Sequence, residues 1–96
     1  MLRISVESEP GQVRLKLEGK LSGIWVDELE DAWREVESTR CGRSLCLDLS
    51  AVEHVDRAGE YLLALVARSG AQLIVSGTAL RELSRKIAAG WPRTPA

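Results

Sequence analysis

Residues 2–18 keep a strict two-residue alternation that is interrupted once. Leu2, Ile4 and Val6 alternate with Arg3, Ser5 and Glu7. After Glu9-Pro10-Gly11-Gln12, Val13, Leu15 and Leu17 alternate with Arg14, Lys16 and Glu18. Period two is the period of a half-buried strand, and two such stretches joined by a Pro-Gly turn predict an antiparallel hairpin. Gly19 is expected to close its second strand. Each strand has a polar side that needs water, so helices are expected on the other side of the sheet.

The period then changes. Past Ser22-Gly23, Trp25, Leu29, Ala32, Trp33 and Val36 recur at helical spacing, and Trp25 and Trp33 read as core residues. Ser38 to Arg43 is a polar turn. Leu45-Cys46-Leu47-Asp48-Leu49 is a short continuous apolar run, expected as a central strand covered on both faces. Ser50 to Asp56 reads as a connection, Tyr61 to Ala67 as a buried helix closing at Gly70, and Gln72 to Val75 as another short buried strand. Thr78 is placed to cap a last helix with Leu80, Leu83, Ile87 and Ala88 on its apolar stripe, ending before Gly90. A hairpin followed by alternating helices and strands predicts a single-domain α/β fold. Its mixed sheet has about four strands, with helices mainly on one face. The domain is expected over residues 1–90, with a short Pro-containing tail at 91–96. Trp91 reads either as a partner anchor or as a lid on the core.

Ninety-six residues allow one such core. The net charge of −1 shows no basic excess for nucleic acid or an anionic membrane, so neither is expected as a partner. That total hides a separation. The outer face of the first helix carries Asp27, Glu28, Glu30, Asp31, Glu35 and Glu37 against Arg34, a local −5. Arg81, Arg85, Lys86 and Arg93 stand against Glu82, a local +3. Such polarity permits electrostatic steering or a homodimer, and equally suits two solvated faces. Met1 runs directly into the first strand without the charged and apolar regions of a secretory signal, and no apolar run approaches the roughly 18 to 20 residues of a membrane span. A cytoplasmic location without membrane insertion is expected.

The candidate chemistry is sparse. Cys41 and Cys46 match neither a redox pair nor half of a zinc site, and His54 is the single histidine. Cys46 reads as a buried small hydrophobe and Cys41 as a loop thiol. Asp48 and Asp56 fall at or past the carboxyl end of the third strand, where open α/β sheets place ligands. A phosphoacceptor site there would also need an acidic pair after the first strand and a later lysine, and neither is present. His54, with Glu53 and Asp56 nearby, lacks a nucleophile and reads as a solvated loop residue. The glycines are scattered singly and form no phosphate-binding fingerprint. No enzyme, metal or cofactor is expected. Small-ligand sensing at the sheet's carboxyl end would require a pocket. Asp56 is placed to cap the helix that follows. Arg57 then occupies a first turn, where the helix dipole disfavours a cation; relief by Glu60 or Glu53, or a role in binding, are the two readings.

The run from Leu45 to Gly59, with Asp48-Leu49-Ser50 and Asp56-Arg57-Ala58-Gly59, resembles the heart of the STAS family of anti-sigma-factor antagonists. That family reads as an apolar strand, Asp-Leu-Ser, a short connection, then Asp-Ser-Ser/Thr-Gly opening a helix. Leu15 to Gly19 with Leu21, the acidic Asp27 to Trp33, Gly70 to Val75 and Leu80 to Ile87 are similar to its other elements in matching order, over roughly residues 2–90. The resemblance implies a STAS-like fold and a non-enzymatic bacterial regulator that binds an anti-sigma factor or kinase-like protein at the loop and helix start. It implies partner-binding positions Asp56, Arg57, Ala58, Gly59, Glu60 and Tyr61. In the family's partner switches, a hydroxyl of Asp-Ser-Ser/Thr-Gly is phosphorylated. Here those two positions are Arg57 and Ala58, so the phosphoswitch is expected to be absent, and Arg57 has the wrong sign to imitate phosphate. Glu60 replaces a usually apolar residue. The family commonly adds a last strand and helix, for which the six residues after Gly90 leave no room. The alternative role implied by the resemblance is a cytosolic accessory subunit docked on the ATPase of an ABC-type lipid transporter.

Overall fold

A computed structural model of the chain describes residues 1–92. The elements are β1 (Leu2–Ser8), β2 (Gln12–Leu21), α1 (Ile24–Thr39), β3 (Ser44–Val55), α2 (Arg57–Arg68), β4 (Gln72–Ile74) and α3 (Thr78–Ala88). They form a mixed four-stranded sheet in the order β1-β2-β3-β4. β1 is antiparallel to β2, and the β2–β3 and β3–β4 pairs are parallel. The expected fold class and element order therefore hold. Of the expected stretch at 91–96, Trp91 and Pro92 are described; 93–96, including the Arg93 counted in the basic cluster, lie outside the described residues.

The hairpin turn is closed by reciprocal backbone bonds, Glu9 N–H to Gln12 C=O at 2.8 Å and Gln12 N–H to Glu9 C=O at 3.3 Å. Inward residues Val13, Leu15, Leu17, Leu45 and Leu47 meet Leu29, Trp33 and Val36 of α1, Leu63 and Val66 of α2, and Leu80 and Leu83 of α3 in one core. Removing each such side chain from water contributes about 1.5–3 kcal/mol. Arg14, Lys16 and Glu18 point to the other face and remain half-exposed, so that face carries no helix. Cys46 lies on this open side, between Arg14 and Gln72 in register. It is only 1% exposed because long side chains of its own sheet cover it. β3 is thus covered on both faces as expected, by helices on one side and by side chains of its own sheet on the other.

β3 is longer than expected. Its register against β2 slips between Lys16 and Glu18 and again between Gly19 and Lys20, each time with an extra β3 residue. Each bulge flips the pleat. The inward residues are consequently Leu49, Val52 and Val55, at intervals of three. Asp48 thus lies in mid-strand rather than at the strand's end, and His54 is exposed as expected but paired in the sheet opposite Lys20 rather than in a loop. β2 likewise continues past Gly19 to Leu21. Gly19 adopts φ +108°, and a Cβ there would collide with the Met1 carbonyl oxygen, which accepts from Lys20 N–H at 3.0 Å.

Four helix and strand expectations are also revised. The inward stripe of α1 is Val26, Leu29, Trp33 and Val36, while Trp25 and Ala32 are half-buried. α2 is amphipathic rather than wholly buried, since Tyr61 and Leu65 face outward between buried neighbours. β4 has three residues and only half-buried side chains at Leu73 and Ile74, as befits an edge strand. α3 is capped by Gly77 at φ +87°; Thr78 is already helical and its hydroxyl makes no cap bond, and Ala88 is exposed. No helix of the described residues is long and apolar enough to cross a membrane.

Candidate functional site

Because β2 and β3 are parallel, their carboxyl ends lie together, and the chain leaves both ends directly into helices. Asp56 stands between them. Its N–H donates to Leu21 C=O at 3.0 Å, tying the end of β3 to that of β2. Its Oδ1 accepts from Gly59 N–H at 2.8 Å, which is the expected cap of α2. Its Oδ2 accepts from Gly23 N–H at 3.0 Å, at the start of α1. One carboxylate thus serves the amino-terminal ends of two helices, where unpaired N–H groups and helix dipoles favour an anion. The Gly23 and Gly59 bonds, in that order of weight, hold the Asp56 carboxyl below the ordinary carboxylate range.

Gly59 is buried because α2 starts almost in contact with the two strand ends. A Cβ there would lie 2.8 Å from Val55 Cγ1 and 3.0 Å from the Leu21 carbonyl oxygen. The expected positions 56–61 are therefore held together on one closely packed turn, but they do not all face outward. Arg57, Ala58 and Tyr61 are exposed, Asp56 and Glu60 are half-buried, and Gly59 is interior. Arg57 makes no hydrogen bond or ion pair among the described residues, with Glu60 and Glu53 included, so the relief expected from those acids is not found. Tyr61 is stacked on Trp91 with ring centroids 5.1 Å apart, and Lys86 Nζ lies 4.1 Å from the Trp91 ring centroid. Trp91 is half-buried against the core, and Arg68 Nη2 donates to the Pro92 carbonyl at 2.7 Å. Trp91 therefore covers part of the core, as the lid reading has it.

Sequence reasoning did not single out three residues of this surface. Ile24 is 71% exposed, Leu65 is 47% exposed, and Gly23 supplies the second N–H to Asp56. Leu65 had a signal, since it lies four residues after Tyr61 on the same helix face. At the carboxyl end of β3, a cleft of about 130 Å³ is lined by Glu53, His54, Val55, Glu60, Ala79, Leu80 and Leu83. That is well below the roughly 300 Å³ at which small-molecule sites begin. Asp48, farther back, is held below the ordinary carboxylate range by the Ser50 hydroxyl and N–H, at 2.7 and 3.0 Å. These bonds tie Asp48 to the first bulge of β3 on the open face. Among the described residues, no group of three His, Cys, Asp or Glu side chains is placed to share a metal ion.

No family model matches the chain, and no curated protein sequence is significantly similar to it. Solved structures are. An anti-sigma factor antagonist from Mycobacterium paratuberculosis superposes with a TM-score of 0.77 at 22% identity, over 100% of this chain and 87% of its own. The anti-sigma factor antagonist SpoIIAA in its unphosphorylated form gives a TM-score of 0.67 at 12% identity, over 88% of this chain and 83% of its own. Mglu gives 0.62 at 26% identity over 77% of this chain, which spans only 19% of that longer one. The fold is that of the SpoIIAA-like STAS domains.

Proposed function

We propose that this chain is a non-enzymatic interaction module of the anti-sigma-factor-antagonist type. It takes a cytoplasmic protein partner, an anti-sigma factor or kinase-like protein, on the face built by Asp56, Arg57, Ala58, Gly59, Glu60 and Tyr61. The observation that carries the reading is Arg57. An exposed cation with no hydrogen bond or ion pair among the described residues, at a helix start that electrostatically disfavours it, is a local cost that binding to an acidic group would offset. The turn beneath it is tied by the Asp56 bonds to Gly23, Gly59 and Leu21, which lowers the ordering needed on association. The likeness to solved antagonists supports the class of function. No feature of the site favours a transporter ATPase as the partner.

Control by phosphate at this turn is absent in this reading, because Arg57 and Ala58 carry no hydroxyl. A photo-reactive residue replacing Ala58 is expected to capture a discrete protein from native lysate, with capture lost on adding Arg57→Glu. The same residue at Arg3, on the open sheet face, captures none; equal capture from both positions overturns the reading. Incubation with ATP and anti-sigma kinases is expected to leave residues 50–60 unmodified, with the Arg57→Ser, Ala58→Ser double variant as the positive control. A phosphate on residues 50–60 of the natural chain removes the second half of the proposal.

A further inference from the structure

The outward ridge of α2 does not end with the turn. Ala58, Tyr61 and Leu65 recur at intervals of three and four, with Tyr61 48% and Leu65 47% exposed. Beside this ridge runs an open groove of about 440 Å³ between α1 and α2, with Val26 at its floor and Asp27 and Glu30 on the far rim. From Ala58 to Leu65 the ridge rises about 10 Å, roughly two turns of an α-helix. The groove has apolar footing at helical spacing and a rim of one sign. Glu30 is paired within its own helix, Arg34 Nη2 lying 2.8 Å from its Oε2, whereas Asp27 has no ion pair or side-chain hydrogen bond among the described residues. Ile24, exposed and three residues before Asp27, extends the α1 rim toward the helix start.

We infer that the α1–α2 groove receives an amphipathic helix of the partner whose apolar stripe lies on Ala58, Tyr61 and Leu65 and whose flank toward α1 is basic. The inference deepens the proposed function and rests on its assignment of this face to a protein partner. Charge decides among the occupants. The acidic rim repels an anionic lipid surface and an acidic helix alike. A second copy of this chain offers a basic helix in α3, but Leu80 and Leu83, the apolar stripe of α3, are already committed to its own core. What remains is a helix-in-groove contact with a separate cationic, leucine-type helix.

The test uses two synthetic amphipathic peptides of the same length, one of Leu and Lys and one of Leu and Glu, titrated into the ¹⁵N-labelled full chain. The Leu/Lys peptide is expected to bind about tenfold or more tightly than the Leu/Glu peptide, with shift changes centred on Asp27, Ala58, Tyr61 and Leu65. Asp27→Lys and Leu65→Asp, both at exposed positions, are each expected to weaken it about fivefold or more, while Arg3→Glu, on the open sheet face, does not weaken it. Equal binding of both peptides, shifts centred elsewhere, indifference to Asp27→Lys and Leu65→Asp, or no binding at all overturns the groove assignment. Failure here with discrete, Arg57-dependent capture at Ala58 leaves the proposed function standing. Loss of that capture removes the proposed function whatever the peptides do.

Discussion

The Asp56 carboxylate accepts a hydrogen bond at 3.0 Å from the backbone N–H of Gly23, a residue 33 positions earlier in the chain. With Gly59 N–H on its other oxygen, it couples the starts of α1 and α2 at the end of the sheet. An ordinary capping residue serves one helix, and its loss costs about 0.5–2 kcal/mol. Asp56→Ala removes two such bonds together, so urea unfolding is expected to show a loss of about 2 kcal/mol or more, at the top of that range. A loss under about 0.5 kcal/mol shows that one of the bonds does not form.

The same bonds set an acid dependence. Gly23 and Gly59 donate to the charged form and lower the folded carboxyl below its ordinary 3.8. A group lowered in the folded state contributes stability that is fully present above its unfolded pKa and is lost as pH falls through the folded one. The natural chain is therefore expected to lose more stability than Asp56→Asn between about pH 5 and pH 2. Asp48, lowered by Ser50, titrates in the same direction in both proteins, so the comparison isolates Asp56. Parallel stability curves for the two proteins contradict the assignment.

The legible part of the fold is the part that keeps a simple period. Leu2 to Leu17 alternate and form the hairpin; Leu29, Trp33 and Val36 recur helically and face the core. Legibility lapses after Leu49 until Asp56, because two bulges put the next inward residues at Val52 and Val55, a repeat of three that matches neither the strand's period of two nor the helix's period of about 3.6. Residues 50–55 consequently read as a connection although they are paired in the sheet. Asp56 was legible as a cap because capping is local, whereas its bond to Gly23 depends on the parallel pairing of β2 with β3. The groove escaped notice for a similar reason: it joins Asp27 and Leu65, on helices that meet only after the sheet has formed.

Gly59 has a sharp steric prediction. In a helix interior alanine is favoured over glycine by about 1 kcal/mol, so propensity alone makes Gly59→Ala stabilising. The added carbon would instead stand 2.8 Å from Val55 Cγ1 and 3.0 Å from the Leu21 backbone oxygen. Backbone cannot move aside without separating α2 from β2, and overpacking of this kind costs about 1–3 kcal/mol. Thermal unfolding of Gly59→Ala is expected to show net destabilisation; a raised midpoint contradicts the close approach.

The two thiols are expected to differ in reactivity. Cys41 is exposed, whereas Cys46 is buried on the open sheet face and desolvation pushes its thiol up. The thiolate is the reactive form, so both access and ionisation protect Cys46. Titration of the native chain with a thiol-specific disulfide reagent should release one equivalent quickly and the second only on unfolding. Two fast equivalents show that the Arg14 and Gln72 side chains do not seal the strand.

Arg57 separates binding from stability. It occupies the first turn of α2, beside the amino-terminal dipole, without an ion pair among the described residues. Replacing it by glutamate puts a favourable charge in that place, worth about 0.3–1 kcal/mol at an exposed site. Arg57→Glu should therefore unfold at a slightly higher urea concentration, with the gain shrinking in salt as the dipole interaction is screened. If Arg57 instead held the turn together through a contact, the variant would be less stable and its deficit would not follow salt. A residue whose reversal strengthens the fold while abolishing capture of the partner is kept for the partner, and the paired measurements on this one variant decide that.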